Sequence, residues 1–171
     1  MNRSNTINRL FSQNVFSNLL KFNNHEVFSH LIELYDPDNL SKNNHEFITS
    51  IYSYMSQSYR NEYFYKNTIL NKLLLGKHSL NTTVVLSEIP IDDSIADFIM
   101  INGKAIVYEI KTELDNLERL DNQISDYFKA FDHVAVITHE ANFERLLELN
   151  KNSPVGIYVL TKQNTISKKI Y

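Results

Sequence analysis

Cysteine is missing altogether from the 171 residues. That excludes disulfides, thiolate metal sites and a cysteine nucleophile, and makes a reducing cytoplasm the expected compartment. Glycine is nearly as scarce, with three in the chain. A glycine-rich nucleotide loop needs more, and Gly76-Lys77 lacks the rest of a P-loop. There is no excess of positive charge either: 17 Lys and Arg stand against 20 Asp and Glu, a net charge of -3. The chain is therefore no basic coat for nucleic acid, and any phosphate binding needs a local basic face or metal ions. No window approaches the ~18 apolar residues of a membrane span. The opening "MNRSNTINRLFSQNVF" has no continuous apolar core of signal-peptide type, so no membrane partner is expected.

Hydrophobic residues make up 43% and aromatics 12%, enough to bury a core. The length suggests a single domain over 1–171. Ile7, Leu10, Phe11, Phe16, Leu19 and Leu20 follow helical spacing. A second helix is expected over 25–35, before the breaker Asp36-Pro37-Asp38-Asn39. Helical spacing resumes near Glu46 and runs to Tyr59, and "NEYFYKNTILNKLLL" reads as a helix closed by Gly76 as C-cap. The period then changes. Strands are expected near 82–91, 95–101, 105–112 and 133–138, with a helix over 117–130, where Leu117, Leu120, Ile124, Tyr127, Phe128 and Phe131 form one stripe. A short helix, "EANFERLLELNK", and the strands "VGIYVLT" and "TISKKIY" complete the chain. Residues 1–54 read as a helical N-terminal extension to a core over 55–165. Its first 42 residues suggest an arm or a dimerisation element, so a homodimer is one expected partner.

Several motifs fail on spacing. His25 and His30 in "HEVFSH" are five apart and diverge by about 140° around a helix, unlike the pair of a zinc-protease helix. His45, His78, His133 and His139 lack metal-ligand spacing. "DPDN" lacks the glycine and distal glutamate of an EF-hand loop. No serine sits in a Gly-x-Ser-x-Gly elbow.

"SIADFIMINGKAIVYEIKTELD", residues 94–115, is another matter. It is apolar enough for two interior strands, yet it carries Asp97, Glu109 and Lys111, and ionised groups are costly to bury without partners. Glu109 and Lys111 are two apart, so they share a strand face. Two readings follow from the residues alone. In the first, the charges are structural pairs, Lys111 with Glu113 or Asp97. In the second, Asp97 and Glu109 hold a hard divalent cation and Lys111 orients a water or stabilises charge on a phosphate, as in a metal-dependent phosphodiesterase. Nearby acids, Glu88 and Asp92-Asp93, read as polar strand ends, with one of them a candidate supplementary ligand. Asp115 or Asn116 is expected near the N-terminus of the following helix. Lys66 and Lys72 are ordinary exposed lysines that could touch a nucleic-acid backbone.

Asp97 followed by Glu109-Ile110-Lys111 resembles the Asp…Glu-x-Lys signature of the PD-(D/E)XK nuclease superfamily. The wording from Ala96 to Glu140 is similar to small bacterial proteins within it. The resemblance covers about 55–165. It implies an α/β fold with a restriction-endonuclease-like core: helix, three-stranded meander, helix, strand. It implies Asp97 and Glu109 as Mg2+ ligands (Mn2+ substituting), Lys111 as a catalytic residue, and Glu62 as a supporting carboxylate on the first core helix. Gln123 and Tyr127, one turn apart on the helix after the motif, are implied as groups that support the site or touch substrate, and Arg119 is a further candidate for a phosphate. Ala96 stands where that signature has proline. The expected function is metal-dependent hydrolysis of nucleic acid, DNA in the first instance. The alternative is a catalytically silent nuclease-fold protein with a binding, regulatory or immunity role.

Strand parity tests the shared site. A two-residue hairpin loop at Asn102-Gly103 would set Asp97 against Tyr108 and send Asp97 and Glu109 to opposite faces. A joint site therefore predicts a three-residue or five-residue connection with Gly103 at positive φ, or else a bulge near Asp97.

Overall fold

A computed structural model describes residues 3–22, 25–38, 40, 43–75 and 81–170. The chain divides into two compact units, 1–63 and 64–171.

The first unit is helical: α1 (Arg3–Leu10), α2 (Gln13–Phe22), α3 (Glu26–Tyr35) and α4 (Asn44–Ser58). The apolar spacing expected to form one helix is broken into α1 and α2. Ser12 turns the chain there, with its N–H and its hydroxyl both donating to the Arg9 carbonyl. The breaker at Asp36 is held by its side chain, the Oδ1 accepting from the Leu40 N–H at 2.8 Å in the turn after α3. Asn43 caps α4 by accepting from the Glu46 N–H at 3.0 Å. Ile7, Leu10, Phe28, Leu31, Phe47, Ile51 and Met55 are buried.

α5 (Glu62–Leu70) runs across the division and continues as a π-helical turn over Asn71–Leu75; the expected cap Gly76 lies outside the described residues, as does His78.

The second unit is a mixed α/β domain around a six-stranded sheet in the order β1-β2-β3-β4-β5-β6. The strands are β1 (Val84–Ile91), β2 (Ser94–Asn102), β3 (Lys104–Lys111), β4 (Val134–His139), β5 (Gly156–Leu160) and β6 (Ile166–Ile170). β1, β2 and β3 form an antiparallel meander. α6 (Leu120–Phe128) and α7 (Phe143–Leu149) then carry the chain to β4 and β5, each parallel to its predecessor, and β6 returns antiparallel. Parallel pairing needs such crossovers, and it leaves β5 buried along its whole length and β4 along all but its last residue. The apolar stripe of α6, Leu120, Ile124 and Tyr127, enters one core with Ile99, Val107, Val134, Val136 and Ile157.

α6 starts at Leu120, later than expected, with Arg119 at its N-cap making no side-chain cap bond. Asp115 and Asn116 do not cap it. The Asp115 carboxylate instead closes the turn after β3, accepting from the N–H and the hydroxyl of Thr112, each at 2.8 Å. Among the described residues no helix is long and apolar enough to cross a membrane.

Candidate functional site

The site begins with two turns. Asn102 pairs with Lys104 around Gly103 alone, and Gly103 has φ 70°. The pairing runs closer to the turn than the expected three-residue or five-residue connection, but the parity is the one a joint site needs. Continuing the register from Phe98↔Tyr108 places Asp97 opposite Glu109, and opposed residues share a face. At the other end of β2, Ile91 pairs with Ser94 around Asp92-Asp93, so Glu88 falls opposite Asp97. Glu88, Asp97 and Glu109 thus occupy one transverse row on β1, β2 and β3. Glu88 sits there with φ 55°, a left-handed backbone that costs a non-glycine residue energy and tends to mark functional sites.

Three donors hold Glu109, which is only 3% exposed. Lys111 Nζ and Gln123 Nε2 donate to its Oε1 at 2.8 and 2.6 Å. The Tyr127 hydroxyl lies 2.6 Å from Oε2 and 2.9 Å from the Ile95 carbonyl oxygen, one proton between two acceptors. Lys111 therefore pairs with its neighbour two along the strand, and not with Glu113 or Asp97. Glu113 accepts from the Tyr65 hydroxyl at 3.0 Å. Burial, the bond to Glu109 and the charges of Glu109 and Asp97 keep the Tyr127 phenol well above its ordinary pKa, so it remains a neutral donor. A carboxylate has about four lone-pair positions; three are engaged here, and one remains for a cation.

Asp97 is tied differently. Its Oδ2 accepts from the Ile110 N–H at 2.6 Å, a side chain bonding to the backbone of the neighbouring strand where the β2–β3 pairing ends. Its Oδ1 lies 3.9 Å from Lys66 Nζ, and Lys66 is also ion-paired with Glu88. Carboxylate oxygens of Glu88 and Asp97 come within 4.8 Å of each other. Hard oxygen donors this close suit a divalent cation such as Mg2+. Glu62, exposed, is the first residue of α5 and belongs to the first unit; Lys66 follows it by four on the same helix face.

The structure thus joins Glu109, Lys111, Gln123 and Tyr127 by direct bonds and ties Asp97 to the strand that carries them. Arg119 stands apart, on a polar groove beside α6. Sequence reasoning underrated Glu88 and Lys66. Reading Asp92-Asp93 as a two-residue hairpin turn would have set Glu88 against Asp97. Nothing local in the sequence points Lys66 at this pair.

The far end of the groove is ion-paired. Lys129 is bonded to Asp92 and, at 2.8 Å, to Asp126, which also accepts from the Ser94 hydroxyl at 2.6 Å. The bonds from Lys129 and then Ser94 hold the Asp126 carboxyl below its usual range, and Asp126 followed by Asp92 holds Lys129 above its own.

Fold and site together define a mixed α/β domain in which acidic strand residues and two lysines converge at the end of a meander. Residues 55–170 match the family described as Bacteriophage P4 protein cII, and the chain belongs to that family. No curated protein matches the chain.

Proposed function

We propose that the protein is a metal-dependent phosphodiesterase acting on nucleic acid, DNA in the first instance, with a restriction-endonuclease-like core. The observation that carries this reading is the parity of β2 and β3: their register, continued one pair past Phe98↔Tyr108, sets Asp97 opposite Glu109, to which Lys111 is bonded. A structural ion pair requires no such alignment of a second carboxylate.

Asp97 and Glu109 would hold Mg2+ or Mn2+, with Glu88 as a third carboxylate within reach of Asp97 and Glu62 as a supporting group. When bound, the ion would activate water and offset charge on the scissile phosphate. The remaining work falls to the chain. Gln123 and Tyr127 fix the Glu109 carboxylate by their bonds to its two oxygens. Lys111, 12% exposed at its side chain, is placed to turn its ammonium from Glu109 to a phosphate oxygen or to a water.

The pairing already in place favours one second reading. Lys111 pairs with Glu109, and Lys66 pairs with Glu88 and lies 3.9 Å from Asp97; a silent binding or regulatory protein could keep these charges as structural pairs alone. Calorimetric titration with Mn2+, run beside a plasmid-nicking assay with EDTA and Lys111→Ala as controls, separates the two. The enzyme reading expects metal binding and EDTA-sensitive cleavage, with Lys111→Ala reducing turnover by orders of magnitude. No divalent binding at millimolar concentration, together with no nicking, would overturn it.

A further inference from the structure

We infer that the groove beside α6 receives a phosphate of the nucleic-acid strand, and that Arg119 is its anchor; this rests on the proposed function and names the substrate contact of the same site. The groove encloses about 390 Å³, within the roughly 300–1,000 Å³ of ligand pockets. Gln123 is the wall it shares with the Glu109 cluster. A strand whose reacting phosphate lies at Glu109 and Lys111 would therefore pass along this wall.

The groove is polarised. Arg119 and Asp126 are seven residues, two turns, apart, about 10 Å along the helix axis. At the Asp126 end, Lys129 is taken up by Asp92 and Asp126, and Ser94 by Asp126. At the other end Arg119 is exposed and forms no ion pair among the described residues. An unpaired guanidinium suits a phosphate, which it can grip with two parallel bonds. Asp93, on the groove, would repel the strand at the opposite end and favour the Arg119 end.

The test measures binding of the full chain to a labelled oligonucleotide, single-stranded and duplex, by fluorescence anisotropy across a salt series. Ca2+ replaces Mg2+ to limit cleavage. The wild type should show log K falling linearly with log salt. Arg119→Ala should bind roughly tenfold more weakly at low salt. Its slope should be shallower by about 0.9 on duplex or about 0.7 on single strand, the loss of one phosphate contact. Arg119→Lys should keep the wild-type slope and lose part of the affinity, and Asp93→Asn should bind more tightly than wild type. If Arg119→Ala matches the wild type in both affinity and slope while the wild type binds and cleaves, this inference alone falls. If the wild type binds no oligonucleotide, the nucleic-acid reading of the site falls and takes the inference with it. An unchanged melting temperature for Arg119→Ala is expected, since its side chain makes no cap bond.

Discussion

Glu88 and Glu109 stand one strand either side of Asp97 in the same row, and the protein treats them in opposite ways. Glu109 is buried in regular backbone with three donors on its two oxygens. Glu88 is 64% exposed at its side chain, sits in left-handed backbone, and is paired with Lys66. One carboxylate is held by its surroundings; the other is held against a backbone preference. A buried acid held by three donors is part of what stabilises the fold around it. An exposed acid in strained backbone contributes little to that fold, so its placement calls for a reason outside stability.

The comparison can be broken most directly by removing each carboxylate in turn. Glu109→Ala takes the acceptor from the Lys111 ammonium and the Gln123 amide and leaves the Tyr127 hydroxyl only the Ile95 carbonyl, and should destabilise the protein by about 3 kcal/mol or more in urea unfolding. Glu88→Ala should stay within about 0.5 kcal/mol of wild type, as an exposed pair contributes little. Equal losses in the two variants would erase the contrast.

A smaller effect is expected from Tyr127→Phe. It deletes the hydroxyl between Glu109 and the Ile95 carbonyl while keeping the ring in the core. The expected cost is about 1–3 kcal/mol, the range for leaving buried polar groups unsatisfied, read as a shift of the urea midpoint at unchanged slope. A loss of under about 0.5 kcal/mol would mean that the bonds from Lys111 and Gln123 suffice to hold Glu109.

The finest test separates strain from charge at Glu88. Both Glu88→Ala and Glu88→Gly remove the carboxylate, but only glycine removes the Cβ that disfavours positive φ. Glu88→Gly should therefore be the more stable of the two by about 1 kcal/mol. The reverse order in chemical denaturation would show that Glu88 is unstrained in solution.

The elements were largely legible because their periods are clean. The strands stand within a few residues of where β-branched alternation placed them, and Leu120, Ile124 and Tyr127 enter the core as their spacing required. Gln123 and Tyr127 could be tied to one helix face by counting. What could not be read was local backbone chemistry. Ser12 splits an apolar stripe that looked continuous, and Asp115 folds back on Thr112 instead of opening α6. The positive φ of Glu88 leaves no mark on composition, since nothing about glutamate announces it. Lys66 reaches its partners from a helix 22 residues before Glu88, a contact that only tertiary structure brings about.

The strictly sequential strand order also bears on how the molecule is made. Every strand's partner is the one just before it in the chain, so none has to be threaded between two strands already joined. During synthesis each new strand can dock on an edge that is already waiting, and the longest connection to close is the crossover through α6. Topology of this kind keeps contacts short in sequence and favours rapid assembly despite the parallel pairs. It also sets how the sheet comes apart under trimming. Shortening from the C-terminus strips β6 and then β5, always an edge and never a middle strand, so the meander that carries Asp97 and Glu109 is the last part to be exposed.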